Sequence, residues 1–141
     1  MIQRIQTVYL SLGILTLAAL GFFGWPWSSE AASTYVWFVP SIIGLTVLTS
    51  GTALWSIFLY ETREWQRTVV MWVQIGTVLL GATLYGGLYL TSELAVRGPT
   101  GVQWGRAVVL VLPLGAYVFF LLARRGIEHD IELVKSMDRL R

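Results

Sequence analysis

Apolar residues run through this chain in long stretches, and the charged residues sit in islands between them. No charge falls between Arg4 and Glu30, Glu30 and Glu61, Arg67 and Glu93, or Arg106 and Arg124. A membrane-crossing helix needs about twenty largely apolar residues, since each adds about 1.5 Å against a hydrocarbon core of about 30 Å. The gaps predict four spans, at residues 5–25, 37–60, 68–90 and 104–123. The runs are continuous and show no alternation of period two, so helices are expected rather than barrel strands. Arg106 lies in the first turn of the fourth span, from which it can snorkel to the interface. A secretory signal peptide is the alternative for the first run, with Ser29-Glu30-Ala31 as a cleavage site. The run is longer than the roughly 7–15 residues of a signal core, which favours a retained helix.

The connections are short: PWSSEAASTY and TSELAVRGPTG at one face, ETREWQR at the other. Such links make consecutive helices antiparallel and predict an all-α, up-down-up-down four-helix bundle. Gly98-Pro99 and Thr100-Gly101 are turn sequences. Pro40 suits the first turn of the second helix. Pro113, in the middle of the fourth, is expected to kink it. Residues 1–123 thus form a transmembrane domain, and residues 124–141 a charged tail.

Wound as a helix, the tail is amphipathic. Arg124, Arg125, Glu128, His129, Glu132, Lys135 and Arg139 share one arc, and Ile127, Ile131, Leu133, Val134, Met137 and Leu140 the other. Asp130 and Asp138 fall on the apolar half, where acyl chains would reject them and a basic group could pair with them. Docking on protein, against the bundle or a partner, is therefore preferred to lying on lipid. The docking candidates are Ile127, Asp130, Ile131 and Val134, followed by Met137, Asp138, Arg139 and Arg141.

Basic residues set the orientation. With the N-terminus inside, eight Lys and Arg face the cytoplasm and two, Arg97 and Arg106, face out. Both termini are expected in the cytoplasm of a bacterium, with the chain in its inner membrane. Trp25, Trp27, Tyr35, Trp37, Tyr89 and Trp104 would girdle the outer interface, and Tyr60 and Trp65 the inner one.

Composition narrows the chemistry. Hydrophobic residues make up 55% of the chain and charged residues 13%, and cysteine is absent, so disulfides and thiolate chemistry are excluded. A net charge of +2, dispersed and mixed with acids, gives no nucleic-acid footprint. No Asp, Glu, Lys or His lies deep within a span, whereas proton relays and ion-coupled carriers need such groups. The one histidine, His129, is in the tail. No metal-ligand cluster, phosphate loop or nucleophile elbow appears, and neither a cofactor nor enzymatic activity is expected. Glu30, Glu93, Arg97 and Arg106 gather at the outer face, where a surface ion-pair group is preferred to an acid–base site.

Within the membrane the third helix repeats small residues four apart: Thr77/Gly81, Ala82/Gly86 and Thr83/Gly87. Such pairs let helix backbones approach closely. Gln74, Thr77, Gly81, Gly86 and Gly87 are the packing candidates, preferred over a ligand groove, with Gln74 expected to make an interhelical hydrogen bond. Serines and threonines of the second helix should bond their own backbone or a neighbour. IQTV at Ile5 and WQRTV at Trp65 are faintly alike, too briefly to carry a duplicated hairpin.

The two ends of the chain, MIQRIQTVYL and IELVKSMDRLR, with four spans between them, resemble a family of small bacterial membrane proteins. That family is catalogued as domain of unknown function 4293 and is typical of Bacteroidota. Its tail pattern is met by Leu133, Val134, Lys135, Ser136, Asp138, Arg139, Leu140 and Arg141. His129 stands where a lysine is expected. The resemblance implies a four-helix inner-membrane protein and no activity. Two classes of function follow. One is an accessory or scaffold subunit bound to membrane lipids, meeting a protein partner or its own copy through the tail and the small-residue faces. The other is a small carrier, channel or lipid-handling protein with a site between helices.

Overall fold

The computed structural model of the protein describes residues 2–59 and 61–139. Tyr60, placed in the inner aromatic belt, and Leu140 and Arg141 of the tail lie outside the described residues. Helix α1 (Ile2–Ala19) ends in a 3-10 turn at Leu20–Phe22. A second 3-10 turn, Trp25–Trp27, leads to the short α2 (Glu30–Thr34). The Ser29 hydroxyl caps α2 by accepting from the Ala32 N–H at 3.2 Å, which satisfies one of the donors left free at a helix start. Then follow α3 (Phe38–Phe58), α4 (Arg63–Leu90), the two-residue strands β1 (Arg97–Gly98) and β2 (Gly101–Val102), and α5 (Trp104–Arg139). The strands pair antiparallel around Pro99-Thr100, with Gly101 at φ 117°, a conformation that favours glycine.

Four helices are long and apolar enough to cross a membrane. The end of α1, at Ala19 with a 3-10 turn to Phe22, falls short of residue 25, and two further boundaries differ from the charge-gap reading. Helix α4 starts at Arg63 rather than 68, since ion-bearing residues are good helix formers and Glu64 suits the positive start of a helix. The second difference is larger. No break separates the fourth span from the tail: α5 is one helix of 36 residues, about 54 Å long. It runs through Pro113 and through Gly126 without interruption. The sequence boundary at residue 123 marks a change of composition rather than a change of structure.

The helices pack in a ring, α1 against α3, α3 against α4, α4 against α5, and α5 back against α1. Glycines set two of these seams. A Cβ on Gly13 of α1 would clash with the Phe120 ring of α5, and one on Gly87 of α4 would clash with the Phe38 ring of α3. A Cβ at Gly76 would lie 2.6 Å from the Thr49 hydroxyl. At the two ends polar contacts fasten the ring. Gln66 donates to the Ser56 carbonyl at 3.0 Å, tying α4 to the end of α3. The Tyr85 hydroxyl donates at 2.6 Å to the Leu110 carbonyl, three residues before the proline that interrupts the hydrogen-bond ladder of α5.

Candidate functional site

The most polar feature of the bundle is a latch at its tail end. Asp130 lies 26 residues into α5, about 39 Å from the start of that helix, which is further than the roughly 30 Å that a membrane crossing requires. Its carboxylate is nevertheless buried, with the residue 4% exposed. Oδ2 accepts from the Gln6 side-chain amide of α1 at 2.6 Å, and the Arg63 guanidinium at the start of α4 stands 3.8 Å from the same oxygen. Three helices therefore meet on one carboxylate. The fit is close: a Cβ at Gly126 would lie 3.0 Å from Gln6 Cγ, so the glycine is what lets α5 approach the Gln6 stem. Ile127 and Ile131 flank the latch, both buried in the core.

The tail residues chosen from sequence thus divide. Ile127, Asp130 and Ile131 are folded into the protein's own bundle. Beyond them α5 stands free: Val134, Met137, Asp138 and Arg139 are exposed. The basic group expected opposite an aspartate exists for Asp130. Asp138 has no counterpart among the described ion pairs. Lys135 lies 3.6 Å from Glu64, but both side chains are largely in solvent, where such a pair contributes about 0–1 kcal/mol. Arg141 is not among the described residues.

The packing candidates divide as well. Gln74 makes the interhelical bond expected of it, its Oε1 accepting from Arg124 Nη1 at 3.2 Å, while Arg124 Nε donates to Glu128 at 2.9 Å. Thr77 is buried and donates to the Val73 carbonyl of its own helix at 2.8 Å. Gly87 is a close-approach glycine. Gly86 is not, because a Cβ there would meet nothing within 4 Å: the small residues wrap around α4, and this one faces away from the other helices. Gly81 is not a backbone contact either. A Cβ on it would lie 3.4 Å from the Tyr85 ring and 3.9 Å from Pro113, at ordinary contact distance beside a groove of about 380 Å³.

The loop end holds no ion-pair group among its described residues. Glu93 instead accepts the Glu30 backbone N–H at 2.8 Å, joining the connection after α4 to the start of α2. Arg106 stacks over the Trp25 ring, 4.9 Å from its centroid. An arginine that lacks a carboxylate within reach uses an aromatic face, which attracts a cation through its quadrupole. Gln6 and Arg63, the partners of Asp130, were missed in the sequence because each sits at the edge of an apolar run and reads as an interfacial residue. Gln6 did carry a signal, as a lone amide near the start of a span. Among the described residues no three His, Asp or Glu side chains come together as metal ligands.

The model of the family described as Domain of unknown function (DUF4293) matches residues 2–140. No curated protein and no solved structure matches the chain.

Proposed function

The chain belongs to that family, and from this premise we propose that it is a non-enzymatic scaffold subunit of a bacterial inner membrane, offering the free end of α5 to a protein partner on the cytoplasmic side. One observation carries the reading. The latch at Asp130 ties α5 to α1 and α4 as far as Ile131, and the two turns beyond it present Leu133, Val134 and Met137 to solvent at 37%, 47% and 66% exposure. Leu133, Val134 and Met137 are three and four apart, so they form one apolar face of a helix. Glu132, Lys135, Asp138 and Arg139 surround that face with charges of both signs. An apolar face with a mixed-charge rim fits a partner's amphipathic helix better than an acidic lipid surface, which selects for a polybasic one. The eight-to-two distribution of basic residues supports placing this end in the cytoplasm.

The test is the size of the native complex. The full-length protein, extracted in mild detergent from its own membranes, should migrate as an assembly larger than the purified chain alone. Val134→Asp with Met137→Asp should return it to the size of the purified chain with the helix content unchanged. Equal sizes for the two proteins, or a native species no larger than the purified chain, would sink the scaffold reading.

A further inference from the structure

The seam between α4 and α5 is not closed. Two joined hollows of about 270 and 380 Å³ run along it, sharing Val78 and Tyr117. The deeper stretch is apolar and ends against Gly81 and Pro113, and the other ends at Gln74 and Arg124. From Arg124 to Pro113 is eleven residues of α5, about 16 Å. That is about half of a hydrocarbon core of about 30 Å, the depth of one leaflet. The groove thus starts at the membrane surface and stops near its middle.

Its mouth is basic. Arg67 lies one helical turn before Met71, a groove-lining residue, and at 100° per residue falls within about 20° of the direction of Gln74 and Val78. It is exposed and makes no ion pair among the described residues. Helical side chains lean toward the N-terminus, which points Arg67 out of the hydrocarbon and toward a headgroup. Arg124 spends one donor on Glu128 and one on Gln74, and a guanidinium has five. Gln74 is the independent sign of a ligand. It lines the groove, is 5% exposed, and its Nε2 has no hydrogen-bond partner. A buried donor left without an acceptor is destabilising, and hydrocarbon carries none to offer.

We propose that the α4–α5 groove is a binding site for an acidic phospholipid of the tail-end leaflet. One acyl chain lies from Tyr117 to Pro113 and Gly81, an ester oxygen accepts from Gln74, and the phosphate lies between Arg67 and Arg124. The cation pair selects the acidic headgroup; the apolar length selects a chain in the same leaflet. The site rests on the membrane-spanning reading and is independent of whether the end of α5 binds a partner.

The experiment is native mass spectrometry of the purified full-length protein in detergent, titrated with palmitoyl-oleoyl phosphatidylglycerol or with phosphatidylcholine of the same chains. Each basic residue near an acidic lipid surface is worth about fivefold in binding, so with two of them the wild type should prefer the glycerol lipid by about 25-fold. Arg67→Gln should cut that preference by about fivefold, and adding Arg124→Gln should remove it. Val78→Trp, which fills the shared middle of the groove from an exposed position, should reduce binding of both lipids. Arg67 holds no contact that folding needs, so its single variant decides the matter even if the double variant misfolds. Equal binding of the two lipids by the wild type would overturn the proposal, as would a preference that Arg67→Gln leaves undiminished. A dimer that binds no lipid and is split by Val78→Trp would mean that a second copy fills the groove instead.

Discussion

Helix α5 is held differently on its two sides. Toward α1 the seam is closed at three points, with the Phe120 ring against Gly13, Gln6 against Gly126, and Asp130 bonded to Gln6 at the end. Toward α4 the contact is made near Pro113, by Tyr85 on the Leu110 carbonyl, and by Arg124 on Gln74, with an open groove between. Both seams contain a glycine, and both run along helices long and apolar enough to cross a membrane. What differs is the residue opposite. A large ring faces Gly13 and fills the missing side chain's space, whereas Pro113 and the edge of Tyr85 face Gly81 and leave room. A glycine in a membrane helix therefore does not say whether its seam is tight.

The largest test of that contrast puts the same side chain on both sides. Gly13→Leu must displace a fully buried ring, and overpacking of a filled core costs about 3 kcal/mol at the upper end of its usual range. Gly81→Leu projects into the groove and should leave stability within about 1 kcal/mol of wild type, since leucine also gains helix propensity over glycine. Overpacking at Gly81, the expectation from its small neighbours, would require the backbones to touch there, and they do not. Thermal unfolding in detergent measures both; a similar loss for the two variants would erase the distinction between the seams.

A smaller effect is expected at the closed seam's polar end. Asp130→Ala leaves the Gln6 amide buried without its acceptor, a hydrogen bond to a charged group worth about 1.5–3 kcal/mol. Arg63 is about one-third exposed and adds little, because water can replace the carboxylate beside it. A loss of about 2 kcal/mol should appear, together with faster amide exchange through the last three turns of α5 and unchanged exchange at its centre. Unaltered exchange in those turns would mean that Ile127 and Ile131 hold the tail without the latch.

The smallest effect belongs to the open seam. Tyr85→Phe removes one hydroxyl from the Leu110 carbonyl and should cost about 1 kcal/mol, the usual net value of a neutral hydrogen bond. A loss as large as that at Asp130 would show that the stretch before Pro113, rather than the latch, is where α5 is fastened.

The existence of four long apolar helices was legible in the chain, because crossing hydrocarbon demands about twenty apolar residues in a row and a row is a one-dimensional property; the full extent of α5 was not. The Pro99-Thr100 turn was legible for a similar reason, since turn chemistry is local. So was the need of Asp130 for a partner: an aspartate on an apolar half-helix has to be paired if it is buried. Which partner it meets was not. Gln6 is 124 residues away in sequence, and only the closing of the helix ring brings it within 2.6 Å. The same holds for the glycines of α4. Their spacing put small residues on several faces, but the rotation of the helix in the ring decided that Gly87 takes the Phe38 ring, Gly86 takes nothing, and Gly81 borders a groove. Apolar side chains meet lipid and protein with nearly the same free energy, so hydropathy carries no information about which way such a helix turns. Shape, set by the neighbours' side chains, makes that choice.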